Sequence, residues 1–255
     1  MKTVKGLHEK MGTFENANTS FHQAARCKRY TNEVLAFSMV KEEELLRATE
    51  EIQNLTYRQG EYKIFKVFEP KERLIMALPF YDRVVQHMIC NAIQPVFENG
   101  FYYHSYACRS GKGMHAASDT LYQWMYETEV KQGLRMYAFK GDISKYFASI
   151  PHDKLKDENR HYIGDKKALM LMDDIIDHNG ILPDGVGIPV GNLTSQLFAN
   201  VYGNKLDKFC KHVLHIPYFV RYMDDFIILS DDLEQLKEWV KRIEEFLENE
   251  MLLHI

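Results

Sequence analysis

The segment Tyr218–Ser230, YFVRYMDDFIILS, places two adjacent aspartates inside an otherwise aromatic and β-branched run. Both flanks have the composition of strands, so the segment predicts a β-hairpin with Met223-Asp224 at its turn. Two-residue hairpin loops prefer glycine or asparagine, and the absence of both indicates that the turn serves more than folding. An Asp-Asp pair is most often a solvated surface turn, but strands this apolar need at least one buried face.

The two aspartates, Asp224 and Asp225, bring like charges together in an apolar frame. Such carboxylates repel each other and take up protons unless a cation lies beside them. A divalent metal such as magnesium is the natural cation, because it takes oxygen ligands. A third acid, Asp142, follows the apolar segment 136–139, so a strand is predicted to end at its carboxylate. A capping aspartate at a strand end is the alternative interpretation.

The composition is that of an ordinary globular chain: 255 residues, 45% hydrophobic and 13% aromatic, enough for one large core or two modest ones. No apolar run approaches the roughly 20 residues that span a bilayer, and the polar N-terminus lacks the apolar stretch of a signal peptide. The sequence therefore predicts a cytoplasmic protein without a membrane partner. Its four cysteines form no CxxC pair, which favours free thiols over zinc ligands or disulfides.

The net charge of −4 is unevenly distributed, because residues 1–145 carry 20 Lys and Arg against 17 Asp and Glu. The acidic excess is concentrated in residues 231–250, which read as the exposed face of an amphipathic helix and leave the remaining surface able to hold a basic groove. The glycine-rich segment Tyr106–Ala117 contains Arg109 and Lys112. Backbone N–H groups and cations before a helix can bind phosphate, although the same pattern is more often plain punctuation.

The order of elements predicts an α+β fold, because helices and strands are segregated along the chain. Residues 1–30 show no clear periodicity and are expected to form a loose arm. The first predicted elements are a helix from Thr31 to Leu55, strands at Tyr62–Phe68 and Arg73–Leu78 joined by a proline turn at 69–72, and a helix from Tyr81 that ends before Pro95. A helix at Ala116–Tyr126, a strand into Asp142 and helices after Pro151 and Gly164 follow. The last predicted elements are a helix from Leu197, the hairpin, and a final helix with Asp231 and Glu234 as its capping box.

Taken together, these motifs resemble bacterial reverse transcriptases of the group II intron, retron and diversity-generating retroelement type. The resemblance runs from about Tyr62 to the C-terminus. It is carried, in chain order, by Arg73 and PFYDRVVQ, Arg109 in the basic loop, Asp142 after an apolar strand, GIPVGNLTSQ, and YMDD. The wording GNLTSQ is most similar to the diversity-generating branch.

This resemblance implies a right-hand polymerase fold with an N-terminal arm (1–30), fingers (31–135) and a palm (136–255) whose antiparallel sheet packs on helices. It implies an RNA-directed DNA polymerase that adds dNTPs to the 3′-hydroxyl of a DNA or RNA primer on an RNA template, in a retroelement or a derived defence system. Two Mg²⁺ ions, or Mn²⁺ in their place, would assist this phosphoryl transfer.

The resemblance also implies roles for individual residues, each at a position that matches a family motif. Asp142, Asp224 and Asp225 would be catalytic and would hold the metal ions together with the Ile143 carbonyl. Arg73, Arg109 and Lys112 would bind the incoming triphosphate. Phe147 would block a ribose 2′-hydroxyl, with an ordinary core phenylalanine as the alternative. Gln196 and Tyr222 would lie near the nascent base pair and the primer end.

One departure from the family concerns the thumb. Family members continue past the palm with a further motif and a helical thumb that grips the duplex, whereas this sequence stops at Ile255. We therefore expect either a fragment of a longer protein or an accessory protein that supplies the grip. An RNA-dependent RNA polymerase and a non-catalytic nucleic-acid-binding module with a palm scaffold are the alternative functions.

Overall fold

The computed structural model describes residues 3–68 and 72–255, and within them the strands form two antiparallel sheets surrounded by helices. This confirms the predicted α+β class. The chain divides into two units: unit 1 comprises Met1–Gly100 and Pro151–Phe198, and unit 2 comprises Phe101–Ile150 and Ala199–Ile255. These limits are drawn from contacts alone, so the division into fingers (31–135) and palm (136–255) stays a prediction.

Unit 1 contains one two-stranded sheet, in which β1 pairs with β2, and most of the helices. Its elements are α1 (Leu7–Met11), α2 (Phe14–Ala24), α3 (Asn32–Met39), α4 (Lys41–Gln53), β1 (Lys63–Phe68), β2 (Glu72–Ala77), α5 (Phe80–Glu98), α8 (His152–Tyr162) and α9 (Lys166–Asp177). The two strands lie where the sequence predicts them. Of the proline turn expected at 69–72, residues 69–71 lie outside the described residues, and Glu72 is the first residue of β2. The helix predicted from Thr31 to Leu55 is interrupted at Val40, which has a non-helical backbone.

The N-terminal segment is not the loose arm that its mixed composition predicts, because α1 and α2 fold onto the rest of unit 1. Helix α2 begins at Thr13, whose hydroxyl accepts the N–H of Asn16 at 3.2 Å. Its small and aromatic residues Ala17, Phe21 and Ala24 are buried at helical spacing. This stripe is mostly alanine, so its apolar periodicity is faint in the sequence.

Helix α5 continues to Glu98, past the residue at which the sequence predicts its end. Pro95 lies inside the helix, where it removes a backbone hydrogen bond at a cost of about 3 kcal/mol. Phe97 is fully buried, and its ring centroid lies 5.3 Å from that of Tyr162. Burying a phenylalanine contributes about 1.5–3 kcal/mol, so the packing of the last turn offsets the proline.

Unit 2 contains a three-stranded antiparallel sheet in the order β3-β5-β4, with the predicted hairpin as two of its strands. Its elements are α6 (Met114–Met125), a π-helical turn at Tyr126–Lys131, β3 (Tyr137–Asp142), α7 (Tyr146–Ser149), a π-helical turn at Phe209–Val213, β4 (Tyr218–Tyr222), β5 (Asp225–Ser230), α11 (Leu233–Phe246) and a final π-helical turn at Leu247–Met251. Helix α10 (Leu193–Lys208) contributes residues to both units. The N-cap of α11 is Asp232, one residue after the predicted Asp231, since its carboxylate accepts from Glu234 and Gln235.

All four cysteines are free thiols, as predicted: Cys90 and Cys210 are buried, and Cys27 and Cys108 are exposed. Across the described residues, no helix combines the length and the apolar character needed to cross a membrane.

The register between β3 and β5 is fixed by a close fit between Gly141 and Phe226, which face each other across the strands. A Cβ atom at position 141 would overlap the Phe226 ring. Phe226 is buried, and its ring lies 6.1 Å from that of Phe139. The glycine therefore makes room for a core aromatic ring at the strand end that carries Asp142.

We predict that Gly141→Ala lowers the free energy of unfolding by about 1–3 kcal/mol, the usual cost of overpacking a core. Urea denaturation followed by circular dichroism measures this change. Adding Phe226→Leu, which shortens the opposing side chain, is expected to restore part of the lost stability. If the loss of stability in the double variant equals the sum of the losses in the two single variants, the proposed steric fit is wrong.

Candidate active site

The three acids singled out in the sequence meet at one end of the unit 2 sheet. Asp142 is the last residue of β3 and pairs with Asp225, the first residue of β5. Asp225 also pairs with Tyr222 of β4, so Asp142, Asp225 and Tyr222 form one row across the sheet, with their side chains on the same face. Asp224 occupies the turn, and its carbonyl accepts the N–H of Ile143 at 3.2 Å. Strand pairing thus gathers side chains that are far apart in the sequence.

The hairpin turn is held in a conformation that side chains rarely adopt. Met223 has a φ of 60°, in the left-handed region, although it is not a glycine. This conformation costs roughly 1–2 kcal/mol for a residue with a Cβ atom. Arg221 offsets the cost, because its Nη1 donates to the Met223 carbonyl at 2.9 Å.

Sequence reasoning missed Arg221, whose side chain is fully buried in β4. Two signals were available. A charged residue stands in the middle of an apolar strand, where it needs a partner. Helix α10 carries polar or small residues at Asn200, Gly203 and Asp207, a spacing that places them on one helix face.

Lys140 is a second residue that the sequence did not single out. It lies two positions before Asp142, so both side chains are on the same face of β3. Its Nζ lies 3.1 Å from Oδ1 of Asp225, and 64% of its side-chain surface is exposed. The neighbouring Asp225 carboxylate raises the pKa of the Lys140 ammonium, and the charges of Asp142 and Asp224 act in the same direction. Lys140 is thus an exposed cation that lies close to all three acids.

The donor chemistry of this row fits a divalent cation. Oδ1 of Asp225 is shielded from solvent but accepts no hydrogen bond of ordinary geometry from any described residue, despite the short contact with Lys140. Such an oxygen gains from a cation beside it, and carboxylates are the ligands that Mg²⁺ and Mn²⁺ prefer. Among residues 3–68 and 72–255, no three His, Cys, Asp or Glu side chains already stand at metal-ligand spacing. The acids are therefore neighbours, with their side chains not converged on one point.

Phe147 follows Asp142 on the short helix α7, after Lys145 has turned the chain through a left-handed conformation. The preceding Tyr146 is fully buried and donates its hydroxyl to the carbonyl of Ala199 at 2.7 Å. This anchor leaves Phe147 only half-buried, with its ring in edge contact with that of Tyr146. Part of the Phe147 side chain is therefore accessible to a ligand, and its role stays a prediction.

The two cations of the basic loop contact the loop itself. Nη1 of Arg109 donates to the carbonyls of Tyr102 and Ser105 at 2.7 and 2.8 Å. Nζ of Lys112 donates to the carbonyl of Tyr103 at 2.9 Å and lies 3.5 Å from the centroid of its ring. These contacts stabilise the loop, so each side chain has a structural task whether or not it binds phosphate.

Arg73 and Gln196 belong to unit 1. Arg73 is exposed on β2, opposite Val67. Gln196 is half-buried in the first turn of α10, and its N–H donates to the carbonyl of Asn192.

The GNLTSQ segment contains small and amide side chains, which can hydrogen-bond a nucleotide or a template base. Most of it is occupied within unit 1. The amide of buried Asn192 donates to the Tyr62 hydroxyl at 2.9 Å, and the N–H of Leu193 donates to Oε1 of Gln86 at 3.1 Å. Thr194 and Ser195 are buried, whereas Gln196 is a polar member of the segment that stays partly exposed.

A family model described as "Reverse transcriptase (RNA-dependent DNA polymerase)" matches residues 66–253. Curated relatives include Protein YkfC of Escherichia coli K12, 28% identical over 134 residues, which are 50% of this chain and 34% of the relative. A protein described as an uncharacterized 91 kDa protein in a cob intron of Schizosaccharomyces pombe is 29% identical over 137 residues, which are 52% of this chain and 16% of the relative. The chain thus spans about a third or less of the length of these relatives.

A third relative, the putative COX1/OXI3 intron 2 protein of Saccharomyces cerevisiae, is 23% identical over 137 residues, 51% of this chain and 15% of the relative. Among solved structures, apo telomerase from Candida tropicalis, truncated from its C-terminal domain, matches with a TM-score of 0.53. That match is 14% identical and covers 76% of this chain and 48% of the telomerase chain. At this identity the likeness concerns the fold, and it supports the palm and fingers architecture.

We predict that Lys140→Met increases the affinity of the acidic row for a divalent cation. Removing a positive charge beside three carboxylates favours a doubly charged ion by roughly threefold to tenfold, more at low ionic strength. Electron paramagnetic resonance of free Mn²⁺ during a titration measures the affinity directly. Lys140→Arg keeps the charge and is the matched control, with an affinity near that of the wild type. Equal affinities of the Met and Arg variants would contradict the electrostatic role of Lys140.

Proposed function

The chain belongs to the reverse transcriptase (RNA-dependent DNA polymerase) family, and from that premise we propose that it extends a DNA or RNA primer with dNTPs on an RNA template, in the cytoplasm of its host. The observation that carries the proposal is the pairing of Asp142 with Asp225 beside Asp224. Enzymes of phosphoryl transfer work mainly by positioning and by stabilising charge, and a row of acids at a sheet end is suited to both tasks. The predicted diversity-generating branch stays a prediction, because none of the named relatives carries that description.

In this proposal Asp142 and Asp224 are the principal ligands of two Mg²⁺ ions, or of Mn²⁺ in their place, with Asp225 and the Ile143 carbonyl in support. When bound, such ions activate the primer 3′-hydroxyl and stabilise the pyrophosphate leaving group. The sheet holds the acids on one face, and Lys140 offsets part of their charge. Asp225, in contact with Lys140, is proposed to tune the charge of the site as well as to support an ion.

We assign the incoming triphosphate first to Arg73, whose guanidinium is exposed on β2 and can bind phosphate through paired N–H groups. Arg109 and Lys112 remain proposed contributors. Their present bonds to the carbonyls of Tyr102, Ser105 and Tyr103 would have to be exchanged or shared. Their contribution to binding is therefore expected to be smaller than that of Arg73.

Phe147 is proposed to exclude a ribose 2′-hydroxyl, since its half-buried ring stands one short helix after Asp142. Tyr222, 39% exposed in the same row as the acids, is proposed to support the primer end. Gln196 is proposed to contact the nascent base pair, since its polar side chain is partly exposed.

We predict that Asp224→Asn lowers primer extension on an RNA template by about a hundredfold or more, because the neutral amide cannot replace a carboxylate ligand worth several kcal/mol. Incorporation of labelled dNTP by the natural protein measures the effect. Asp231→Asn makes the same chemical change at an exposed aspartate just after β5 and is expected to keep wild-type activity. Activity that survives Asp224→Asn would reject the metal assignment, and a wild type without extension would favour a non-catalytic binding module.

We predict that Phe147→Ala relaxes the preference for dNTP over rNTP by about tenfold or more, since a steric block is removed while the acids stay in place. The ratio of kcat/KM for dNTP and rNTP on one primer and template measures the preference. Phe147→Tyr keeps the ring and should keep the preference. An unchanged ratio in the alanine variant would count against the assignment, and a wild type that uses rNTP equally well would favour an RNA polymerase.

A further inference from the structure

The side chain of Arg221 is buried in unit 2 and makes both an ion pair and hydrogen bonds there. It is 0% exposed, and it pairs with Asp207 of helix α10, which is also 0% exposed. Nε lies 2.6 Å from Oδ1 of the carboxylate and Nη2 lies 2.8 Å from Oδ2. This is the two-point geometry that arginine provides and lysine cannot. Two charges have therefore been removed from water as a matched pair.

The remaining N–H groups of the guanidinium also find acceptors. Nη1 donates to the Met223 carbonyl at 2.9 Å and to Oδ1 of Asn200 at 3.4 Å, and Nη2 donates to Oγ of Ser105 at 3.1 Å. An arginine has five N–H donors, and each has a partner here. The guanidinium of Arg221 thus links helix α10 and the segment at Ser105 to the backbone of the hairpin turn.

Helix α10 approaches the guanidinium so closely that only glycine fits at position 203. A Cβ atom there would lie 2.7 Å from Cζ of Arg221 and 2.9 Å from the Tyr146 hydroxyl. Gly203 is in the interior of a helix, where glycine is less favourable than alanine. Glycine is nevertheless present at position 203, because the buried Arg221 guanidinium leaves no room for a Cβ atom.

The contact with Met223 differs in kind from the others, because it reaches the residue with the left-handed backbone. The carbonyl of Met223 belongs to the peptide unit that leads directly into Asp224. A hydrogen bond from a buried charged donor is among the stronger ones in a protein, so it can hold a backbone conformation that residues with a Cβ atom disfavour. Without this donor the turn is free to relax, and the direction of the Asp224 side chain changes with it.

We propose that Arg221, oriented by Asp207, is a positioning residue that holds the Met223-Asp224 turn in the conformation that presents Asp224 beside Asp142. The inference deepens the proposed function and rests on it, since the cation that the acids receive is the proposed Mg²⁺. Arg221 acts on that cation only through the backbone of the turn, from the face of the sheet opposite to the acids.

A paired apolar replacement separates this role from simple stabilisation. Replacing a buried ion pair by well-packed apolar residues is often neutral or stabilising, so Arg221→Met with Asp207→Leu is expected to fold with a Tm close to that of the wild type. It has no donor for the Met223 carbonyl. We expect its affinity for Mn²⁺, measured by electron paramagnetic resonance on the folded protein, to fall by about tenfold or more, as for other residues that orient metal ligands indirectly.

Tyr202→Phe is the matched control, because it removes another buried hydrogen bond of α10, from the Tyr202 hydroxyl to the Met251 carbonyl at 2.6 Å. It should lose stability but keep wild-type affinity for Mn²⁺. A double variant that folds and also keeps wild-type affinity would overturn the proposal. If the Asp224→Asn variant binds Mn²⁺ as tightly as the wild type does, the proposed metal site is wrong. The Arg221 variants cannot produce that result, so the two failures are distinguishable.

Should the double variant fail to fold, the single variants Arg221→Lys and Asp207→Asn keep polar groups in place. Their affinity for Mn²⁺ is measured in the same way. A second readout is the ¹³C-methyl resonance of Met223, assigned through Met223→Leu. It should shift or broaden in the Arg221 and Asp207 variants and stay unchanged in Tyr202→Phe. A Met223 resonance identical to that of the wild type in every folded Arg221 or Asp207 variant would show that the turn does not depend on the pair.

Discussion

The register of β3 against β5 is the constraint on which the candidate site depends. Side chains alternate between the two faces of a strand, so a slip of one residue would move Asp142 to the face opposite Asp225. The fit of Gly141 under the Phe226 ring excludes such a slip, because no other residue of β3 leaves room for that ring. The packing of Gly141 against Phe226 in the core thereby determines which carboxylates lie close enough at the surface to share a cation.

Two cations serve this acidic row from opposite faces of the sheet, and they differ in permanence. Lys140 is exposed, so water and salt screen its pairing with Asp225, and a divalent ion can take its place. Arg221 is buried with Asp207, where removing one partner would leave an uncompensated charge in a low dielectric. The charge of Lys140 beside the acids can be exchanged, whereas that of Arg221 behind the turn is permanent. This arrangement is suited to binding and releasing a cation while the site keeps its shape.

Local sequence pattern was sufficient for the parts of the fold that depend on neighbours in the chain. The hairpin, its turn at Met223-Asp224 and the strand that ends at Asp142 all follow from strand composition and appear as predicted. The missed features depend on residues distant in sequence. Pro95 stays helical because Phe97 packs against Tyr162, and the role of Arg221 depends on Asp207 and Asn200. A single sequence shows that a buried arginine needs a partner, but only the fold shows which carboxylate it meets.

Hydrogen-bond accounting also changes which motif residues can read a substrate. A buried amide has few donors, and the amide of Asn192 donates to the Tyr62 hydroxyl. This part of its motif therefore holds a loop of unit 1 in place. The same accounting applies to Arg109, whose Nη1 already joins two carbonyls. Breaking such bonds to free a side chain costs about what a new bond to a ligand returns. An exposed residue such as Arg73 can bind a ligand without giving up a buried hydrogen bond. A motif shared by a family therefore contains residues that build the site and residues that do its chemistry, and burial with committed donors is what distinguishes the first kind from the second.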